Sequence, residues 1–351
     1  MSVHANIQPK GLRLAIVGAT GAVGREIVKC LERRSFPVRD LKLLASARSA
    51  GTMIPFRGQQ VLVQELTYDA LRALDVVLFA ASNRVSLEFA PTAVREGAIV
   101  IDNSSAYRMK PDVPLVIPEI NRAAIATHTG IIANPNCSAI ISITPLWPLH
   151  RAFRIRRLLV STYQAASGAG AAAMTELLES TRAHLDGAPY APRVLPHPYA
   201  FNLFSHNSAV DPDTGYNGEE LKVIQETRKI FGEPELRVSA TCVRVPVLRA
   251  HCVSVNVEFE QPVDLGEARR SLANAPGVRI VDDWKTNVFP MPKDASDQFD
   301  ILVGRIRHDL SDPTGRSLSL FSSGDQLLKG AALNAIQIAE NLLEAGARVG
   351  V

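Results

Sequence analysis

Short apolar runs alternate with segments of helical periodicity in the first third of the chain. Leu12–Val17 is typical of a buried parallel strand, and apolar residues recur at helical spacing after residue 24 and over 85–96. Further apolar runs lie at residues 41–46, 75–81, 98–102 and 130–133. Because strands alternate with helices here, the pattern predicts an α/β domain with a parallel sheet.

The pattern changes from residue 156 onward, where strands follow one another with few helices between them. Residues 237–247 and 252–260 alternate as paired antiparallel strands do. Other strands are predicted at 156–165, 278–281, 301–306 and 317–321, and helices at 170–184, 219–231, 265–274 and 327–343. This pattern predicts a second, α+β domain with a mainly antiparallel sheet, of a kind whose face commonly supports dimerisation.

The domain boundaries follow from these two patterns. We expect the first domain to cover 1–137 and to be joined by the C-terminal helix, 325–351, with the second domain at 138–324. Residues 187–217 are rich in Pro, Asn, Asp and Gly, and they predict a long loop with a functional or interface role.

A glycine-rich turn, Gly18-x-x-Gly21-x-x-Gly24, joins the first strand to the first helix. Strand, turn and helix in this order predict a Rossmann-type dinucleotide site, with backbone N–H groups facing a pyrophosphate. NAD-binding folds usually place a carboxylate after the second strand, but residues 45–51 contain none. Arg48 and Ser49 can instead hold a 2′-phosphate, although a solvated loop arginine is the alternative; the sequence therefore favours NADP.

Composition narrows the range of functions. The 351 residues are 46% hydrophobic and 21% charged with a net charge of +3, and no run of basic residues forms a nucleic-acid-binding stripe. The four cysteines form no CxxC pair, which argues against a zinc site or a disulfide framework. Neither a secretory signal nor an apolar run of about 18 residues is visible, so we expect a cytoplasmic protein without bound metal, nucleic acid or membrane.

The segment Asn134-Pro135-Asn136-Cys137-Ser138 ends a strand with a turn and opens a helix. A thiol at a helix N-terminus ionises more readily than a free one, and the thiolate is the nucleophilic form. Cys137 is therefore a candidate nucleophile; the alternative is a half-buried structural cysteine.

Polar residues elsewhere are candidates for holding a charged substrate. Arg108 lies in the loop after a strand of the first domain, where open α/β sheets bind ligands. Glu219 and Lys222 share one helix face at i, i+3, a spacing that is also common in surface ion pairs.

Together these segments resemble the aspartate-β-semialdehyde dehydrogenase family over essentially the whole chain. The motifs, in chain order, are Gly18–Gly24, Ser104–Arg108, Asn134–Ser138, Ser161–Gly170, Glu219–Lys222, Arg244 to His251, and Gly324–Ala332. The resemblance implies NADPH-dependent reductive dephosphorylation of L-4-aspartyl phosphate to L-aspartate 4-semialdehyde, on the route to Lys, Met and Thr. It also implies a homodimer, with a tetramer left open.

The resemblance also implies roles for individual residues. Cys137 is expected to form a thioester, His251 to act as acid and base, and Gln164 to orient the acyl intermediate, while Asn136 is suited to bind the substrate or its oxyanion. For the substrate, the expected ligands are Arg244 for the α-carboxylate, Glu219 for the ammonium, and Arg108 and Lys222 for the phosphate. The expected cofactor-binding residues are Gly18, Thr20, Gly21, Ala22, Val23, Arg48, Ser49, Ser167, Gly168 and Gln326.

Two other functions compete with this one. N-acetyl-γ-glutamyl-phosphate reductase runs the same chemistry on an acetylated substrate, but that family tends to have Gly rather than Asn before the cysteine and needs no carboxylate for a free ammonium. An inactive paralogue that acts as a binding or scaffold protein is the other alternative. The presence of Cys137, Gln164 and His251 together argues against it.

Overall fold

The computed structural model describes residues 11–344, which form two compact units. Within these residues the first unit comprises 11–114, 123–134 and 335–344, and the second comprises 115–122 and 135–334.

This division differs from the predicted domains in three stretches. Residues 115–122 belong to the second unit, and so do residues 135–137 and 325–334. Buried contacts hold the latter stretch there, since Lys329 Nζ lies 2.6 Å from Glu119 Oε2 and Asn334 Nδ2 donates to the Val116 carbonyl at 2.9 Å. The outer ends of the predicted first domain, 1–10 and 345–351, lie outside the described residues.

The first unit contains a seven-stranded sheet. Its strands are β1 (Leu12–Val17), β2 (Val38–Ala45), β3 (Met53–Phe56), β4 (Gln59–Glu65), β5 (Val76–Phe79), β6 (Ile99–Asp102) and β7 (Ile131–Ala133). The order is β3-β4-β2-β1-β5-β6-β7, with parallel pairing except in the β3–β4 hairpin. The predicted parallel sheet is confirmed, whereas the hairpin, in which seven of the eleven side chains are exposed, was not predicted.

The turn after β1 needs its glycines for two separate reasons. Gly18 has φ +83°, and a Cβ there would lie 2.3 Å from the Ala80 carbonyl oxygen. A Cβ on Gly24 would lie 2.2 Å from the Gly18 carbonyl oxygen, so this glycine allows the helix to pack directly on the turn.

The second unit contains another seven-stranded sheet, in which antiparallel pairs predominate. Its strands are β8 (Ile155–Gln164), β9 (Phe204–Ser205), β10 (Arg237–Arg244), β11 (His251–Phe259), β12 (Val278–Ile280), β13 (Ile301–His308) and β14 (Ser317–Gly324). The order is β12-β13-β14-β11-β8-β10-β9. The predicted α+β class with a mainly antiparallel sheet is confirmed.

The predicted pairing of β10 with β11 is wrong. β8 lies between them, parallel to β10 and antiparallel to β11. Alternation of buried and exposed residues gives each strand the same pattern whether its neighbour is sequential or not, so the pattern could not identify the partner.

Helices cover or flank both sheets. They are α1 (Ala22–Arg33), α2 (Asn83–Arg95), α3 (Pro118–Asn121), α4 (Cys137–Ile143), α5 (Leu146–Phe153), α6 (Ala171–Leu185), α7 (Gly218–Phe231), α8 (Leu265–Ala273), α9 (Pro292–Ala295) and α10 (Leu333–Glu344). The predicted helix over 327–343 is a π-helical turn, Leu328–Ala332, that continues into α10.

Within residues 11–344, no helix is long and apolar enough to cross a membrane. The same residues contain no cluster of three or more His, Cys, Asp or Glu side chains arranged to hold a metal ion.

Candidate active site

Cys137 is the first residue of α4, as the sequence predicted. Asn136 is the N-cap, and its Oδ1 accepts from the backbone N–H groups of Ser138 and Ala139 at 2.9 and 3.2 Å. The backbone N–H of Asn136 donates to the buried carboxylate of Glu226 at 2.6 Å. These contacts fix the start of the helix and, with it, the position of the thiol.

The Asn136 side chain, predicted as a ligand of the substrate or oxyanion, makes two kinds of contact within the protein. Its Oδ1 caps α4, and its Nδ2 donates to Glu219 Oε1 at 2.9 Å. The same Glu219 oxygen accepts from Gln164 Nε2 at 3.1 Å, and Gln164 Nε2 also donates to Ser138 Oγ at 2.6 Å. Asn136 and Gln164 therefore position the Glu219 carboxylate beside the nucleophile helix.

Glu219 is a buried carboxylate that stays ionised. Burial would raise its pKa, but the charge that His206 gains in acid, the charge of Lys222 and the hydrogen bonds from Asn136 and Gln164 outweigh burial and lower the pKa to about 2. Lys222 Nζ lies 3.3 Å from Glu219 Oε2. The predicted pair on one face of α7 is thus formed, with the acid buried and the lysine half-buried.

His251 lies at the start of β11 with Nε2 3.8 Å from Cys137 Sγ. Its Nδ1 accepts the Ala165 backbone N–H at 3.0 Å, so the neutral imidazole carries its proton on Nε2, the nitrogen that faces the sulfur. Burial, and then the charge of Arg244, lowers the pKa of His251 to about 3. Nε2 is therefore a hydrogen-bond donor at neutral pH, and the predicted acid/base role requires the Ala165 hydrogen bond to open.

Arg244 ends β10 and is buried. Its guanidinium contacts the Ala165 carbonyl at 3.3 Å, Asn207 Oδ1 at 3.4 Å and His206 Nε2 at 2.8 Å. His206 is a residue that sequence analysis missed. It lies within the 187–217 loop, and no local pattern distinguished it from the neighbouring polar residues.

Sequence analysis also missed Gly330, which lies in the π-helical turn and packs against Cys137. An added Cβ at Gly330 would lie 2.8 Å from Cys137 Cβ. The adjacent Lys329 is fully buried, and its ammonium contacts Glu119 Oε2 and Asn334 Oδ1 at 2.6 and 2.9 Å. The turn is therefore fixed by a buried ion pair, and it leaves no space for a side chain beside the thiol.

We expect Gly330→Ala to displace Cys137 and to lower kcat by about 10- to 100-fold, since small displacements of reacting groups are costly. The rate of Cys137 alkylation should also change, and the thermal unfolding midpoint should fall by a few degrees because the added methyl overpacks a buried contact, while the dinucleotide affinity stays near that of the wild type. Gly218→Ala is the matched control, because its nearest neighbour would be Ser208 Cβ at 3.6 Å. Unchanged kcat and alkylation in Gly330→Ala would show that the close contact has no catalytic consequence.

The first unit contains a cavity of about 520 Å³ at the carboxyl ends of β1 and β2. Five of the predicted cofactor residues line it: Gly18, Thr20, Gly21, Arg48 and Ser49. Ala22 and Val23 begin α1 and do not line the cavity. No acidic residue follows β2 directly, although Glu65 and Glu88 contribute to the wall. A glycine turn beside a cavity of this size fits a dinucleotide.

Three other predicted cofactor residues belong to the second unit: Ser167, Gly168 and Gln326. Gln326 is buried; its Nε2 donates to Ser167 Oγ and its Oε1 accepts the Ala250 N–H at 3.0 Å. Ala250 has φ +70°, so Gln326 supports a left-handed backbone residue immediately before His251. A Cβ on Gly168 would lie 2.9 Å from the His251 ring.

Arg108 belongs to the first unit and is buried there. Its guanidinium donates to the Asn134 carbonyl at 3.0 Å and to the Asn103 carbonyl at 2.7 Å. The second unit brings together Asn136, Cys137, Gln164, Glu219, Lys222, Arg244 and His251.

Comparison with protein families matches two models to most of the chain. "Semialdehyde dehydrogenase, NAD binding domain" matches residues 13–128, and "Semialdehyde dehydrogenase, dimerisation domain" matches residues 146–329. This pairing of an NAD-binding with a dimerisation domain is that of the semialdehyde dehydrogenases.

Individual relatives narrow this class. The chain is 51% identical to aspartate-semialdehyde dehydrogenase of Synechocystis sp. over 96% of this chain and 99% of that protein. It is 45% identical to the Bacillus subtilis enzyme of the same name, over 95% of this chain and 98% of that protein. Among solved structures, aspartate semialdehyde dehydrogenase II of Vibrio cholerae complexed with ASA has a TM-score of 0.91 and 39% identity, covering 96% of this chain and 99% of that one.

The chain belongs to the aspartate-semialdehyde dehydrogenase family, and it is an NAD(P)-dependent oxidoreductase. The resemblance noted in the sequence is confirmed.

Proposed function

We propose that this protein converts L-4-aspartyl phosphate to L-aspartate 4-semialdehyde through a thioester on Cys137. The observation that carries the proposal is the 3.8 Å approach of His251 Nε2 to Cys137 Sγ, in a unit that also holds an ionised Glu219 and a buried Arg244. These groups supply a nucleophile and both signs of charge, as an amino-acid acyl phosphate requires.

In the proposed first step the Cys137 thiolate attacks the acyl carbon. The S–C bond forms, and the C–O bond to phosphate breaks with its electron pair leaving on phosphate. Glu219 would hold the substrate ammonium, Arg244 the α-carboxylate, and Lys222 and Arg108 the phosphate. Gln164 would act through its hydrogen bond to Glu219 and through Oε1, a buried acceptor without a hydrogen-bond partner among residues 11–344.

When bound, a reduced nicotinamide donates hydride, which is what reduction of a thioester requires. The oxygen of the reacting carbon then bears negative charge. We propose that His251 Nε2–H donates a hydrogen bond to this oxygen and to the sulfur, as a neutral imidazole does when its other nitrogen accepts. Collapse breaks the C–S bond, returns the electron pair to Cys137 and releases the aldehyde.

Glu219 favours this substrate over the acetylated one of N-acetyl-γ-glutamyl-phosphate reductase, since a carboxylate with a pKa of about 2 is matched by a free ammonium. The test is phosphate-dependent reduction of NADP, measured side by side with aspartate semialdehyde and with N-acetylglutamate semialdehyde. We expect turnover of the first only. Preference for the second would overturn the assignment, and turnover of neither would support an inactive paralogue.

NADP is the proposed dinucleotide, because Arg48 and Ser49 line the cavity directly after β2, where no carboxylate follows the strand. Arg48→Ala is expected to raise KM for NADP by about 10- to 100-fold through loss of a charged hydrogen bond, while KM for NAD stays unchanged. Steady-state kinetics with both dinucleotides measures this. An equal rise for both, or for neither, would contradict a 2′-phosphate contact.

The oligomeric state and the cellular location are proposed as well. The match to a dimerisation domain supports a homodimer, and the proposed biosynthetic reaction supports a cytoplasmic location.

A further inference from the structure

His206 is held on the edge of the second sheet by its own backbone. The preceding strand, β9, pairs antiparallel with the end of β10, placing Phe204 opposite Arg244. The His206 N–H extends this ladder by donating to the Cys242 carbonyl at 2.8 Å. The long 187–217 loop thus delivers His206 to a defined place beside Arg244.

The contact between the two side chains fixes which imidazole nitrogen carries the proton. His206 Nε2 lies 2.8 Å from Arg244 Nη2, and a guanidinium is a donor at every nitrogen. Nε2 must therefore accept, and the ring proton of neutral His206 is on Nδ1. The Ser208 nitrogen also lies 3.2 Å from Nδ1, and its N–H would need Nδ1 as an acceptor. The contact with Arg244 decides the tautomer, because it is shorter and involves a charged donor.

Nδ1 of His206 continues the chain of hydrogen bonds toward α7. Ser208 Oγ lies 3.1 Å from Nδ1 and can accept its proton. The same hydroxyl accepts the Glu219 backbone N–H at 3.0 Å and donates to Asn217 Oδ1, the N-cap of α7, at 3.2 Å. One donor and two acceptor positions of the hydroxyl are thereby used.

We propose that His206 and Ser208 are positioning residues that link the Arg244 guanidinium to the N-terminus of α7, and so set the spacing between the groups for the substrate's carboxylate and ammonium. The inference rests on the proposed function, because it assigns Arg244 and Glu219 to those two groups. Neither linking residue needs to touch the reacting atoms. The link makes the enzyme selective for aldehydes that carry both charges.

The charges around His206 are compatible with this role. Burial lowers the pKa of His206 to about 4, with Arg244 and Lys222 also lowering it and Glu219 opposing them. The folded pKa lies below the unperturbed value of about 6.5, so the ring stays neutral down to about pH 5 and protonates only on further acidification. The acceptor for Arg244 is therefore present throughout the neutral range.

His206→Leu removes the acceptor, whereas His206→Gln can replace it, since Gln Oε1 can occupy the position of Nε2. For His206→Leu we expect KM for aspartate semialdehyde to rise about tenfold or more, with kcat within about threefold of the wild type and KM for NADP unchanged. The ratio of kcat/KM for aspartate semialdehyde to that for 3-aminopropanal, which lacks the carboxylate, should fall by the same factor. His206→Gln should restore both quantities to within about threefold of the wild type.

Ser208→Ala removes the hydroxyl that joins His206 to the start of α7, and it should also raise KM for aspartate semialdehyde. The inference can therefore be tested even if His206→Leu does not fold. His308→Leu is the control, because His308 is an exposed histidine of the same unit.

Wild-type KM should stay flat from pH 8 to pH 6, whereas a histidine with a pKa of about 6.5 would raise it about fourfold. Unchanged KM and selectivity in His206→Leu and Ser208→Ala would overturn the inference; a wild type that does not use aspartate semialdehyde would instead overturn the proposed function.

Discussion

Cys137→Ala is expected to abolish turnover, lowering kcat by about 10⁴-fold or more, while the binding of NADP is unchanged. The physical reason is that the covalent step needs a sulfur at the start of α4, where Asn136 and Glu226 fix the helix. The variant removes that sulfur without altering the cap. The measurement is phosphate-dependent reduction of NADP, together with dinucleotide affinity by fluorescence or calorimetry.

Cys30→Ala is the matched control, because it removes a buried thiol from α1 and leaves the second unit intact. We expect it to retain turnover. Residual turnover in Cys137→Ala above the level of a purification blank would refute a covalent route through this residue.

His251→Ala is expected to lower kcat by about 100- to 1,000-fold, because the Nε2–H donor toward the sulfur and the reacting oxygen is lost. His251→Gln distinguishes two ways in which the imidazole can act. A glutamine amide donates a hydrogen bond but cannot relay a proton. Because Ala165 occupies Nδ1, the donor role predicts that His251→Gln is about tenfold or more faster than His251→Ala.

A pH profile of kcat completes this comparison. With the pKa of His251 lowered to about 3, no acid limb near pH 6.5 is expected in the wild type. Equal loss of activity in both variants, together with a wild-type limb near that pH, would show that His251 transfers protons and that the Ala165 hydrogen bond opens during turnover.

The first unit could be predicted closely from the sequence because its signals are local. Five buried runs became β1, β2, β5, β6 and β7, and the glycine turn lies where backbone contacts exclude a Cβ. The hairpin β3–β4 was not predicted, because only three of its eleven side chains are buried and its apolar runs, of four and three residues, are not flanked by a helical pattern.

The second unit was predicted in class but not in topology. The residues of a strand indicate which of its faces is buried, but they do not indicate which strand pairs with it. The placement of β8 between β10 and β11 could therefore not be predicted. The contact-based division into units differs from the predicted domains for a similar reason. The contacts of Lys329 with Glu119 and of Asn334 with Val116 join residues more than 200 positions apart.

Within the site, the residues found by motif include the nucleophile Cys137 and the charged residues Glu219 and Arg244. Those that were missed act by packing or by holding other residues. Gly330 leaves the space that Cys137 occupies, because it has no side chain. His206 contacts Arg244 only because the long loop brings it there. Gln326, predicted as a cofactor ligand, also has a positioning role that no motif indicated, since its side chain is hydrogen-bonded to Ser167 and Ala250.

The most direct test of the central claim is oxidation of aspartate semialdehyde by NADP with phosphate withheld. Without an acceptor for the acyl group, the account predicts a burst of about one NADPH per active site and an aspartyl adduct on the peptide that contains Cys137. Added phosphate should release the adduct and replace the burst with continued turnover. Steady turnover without a burst, or an adduct on any other residue, would contradict it.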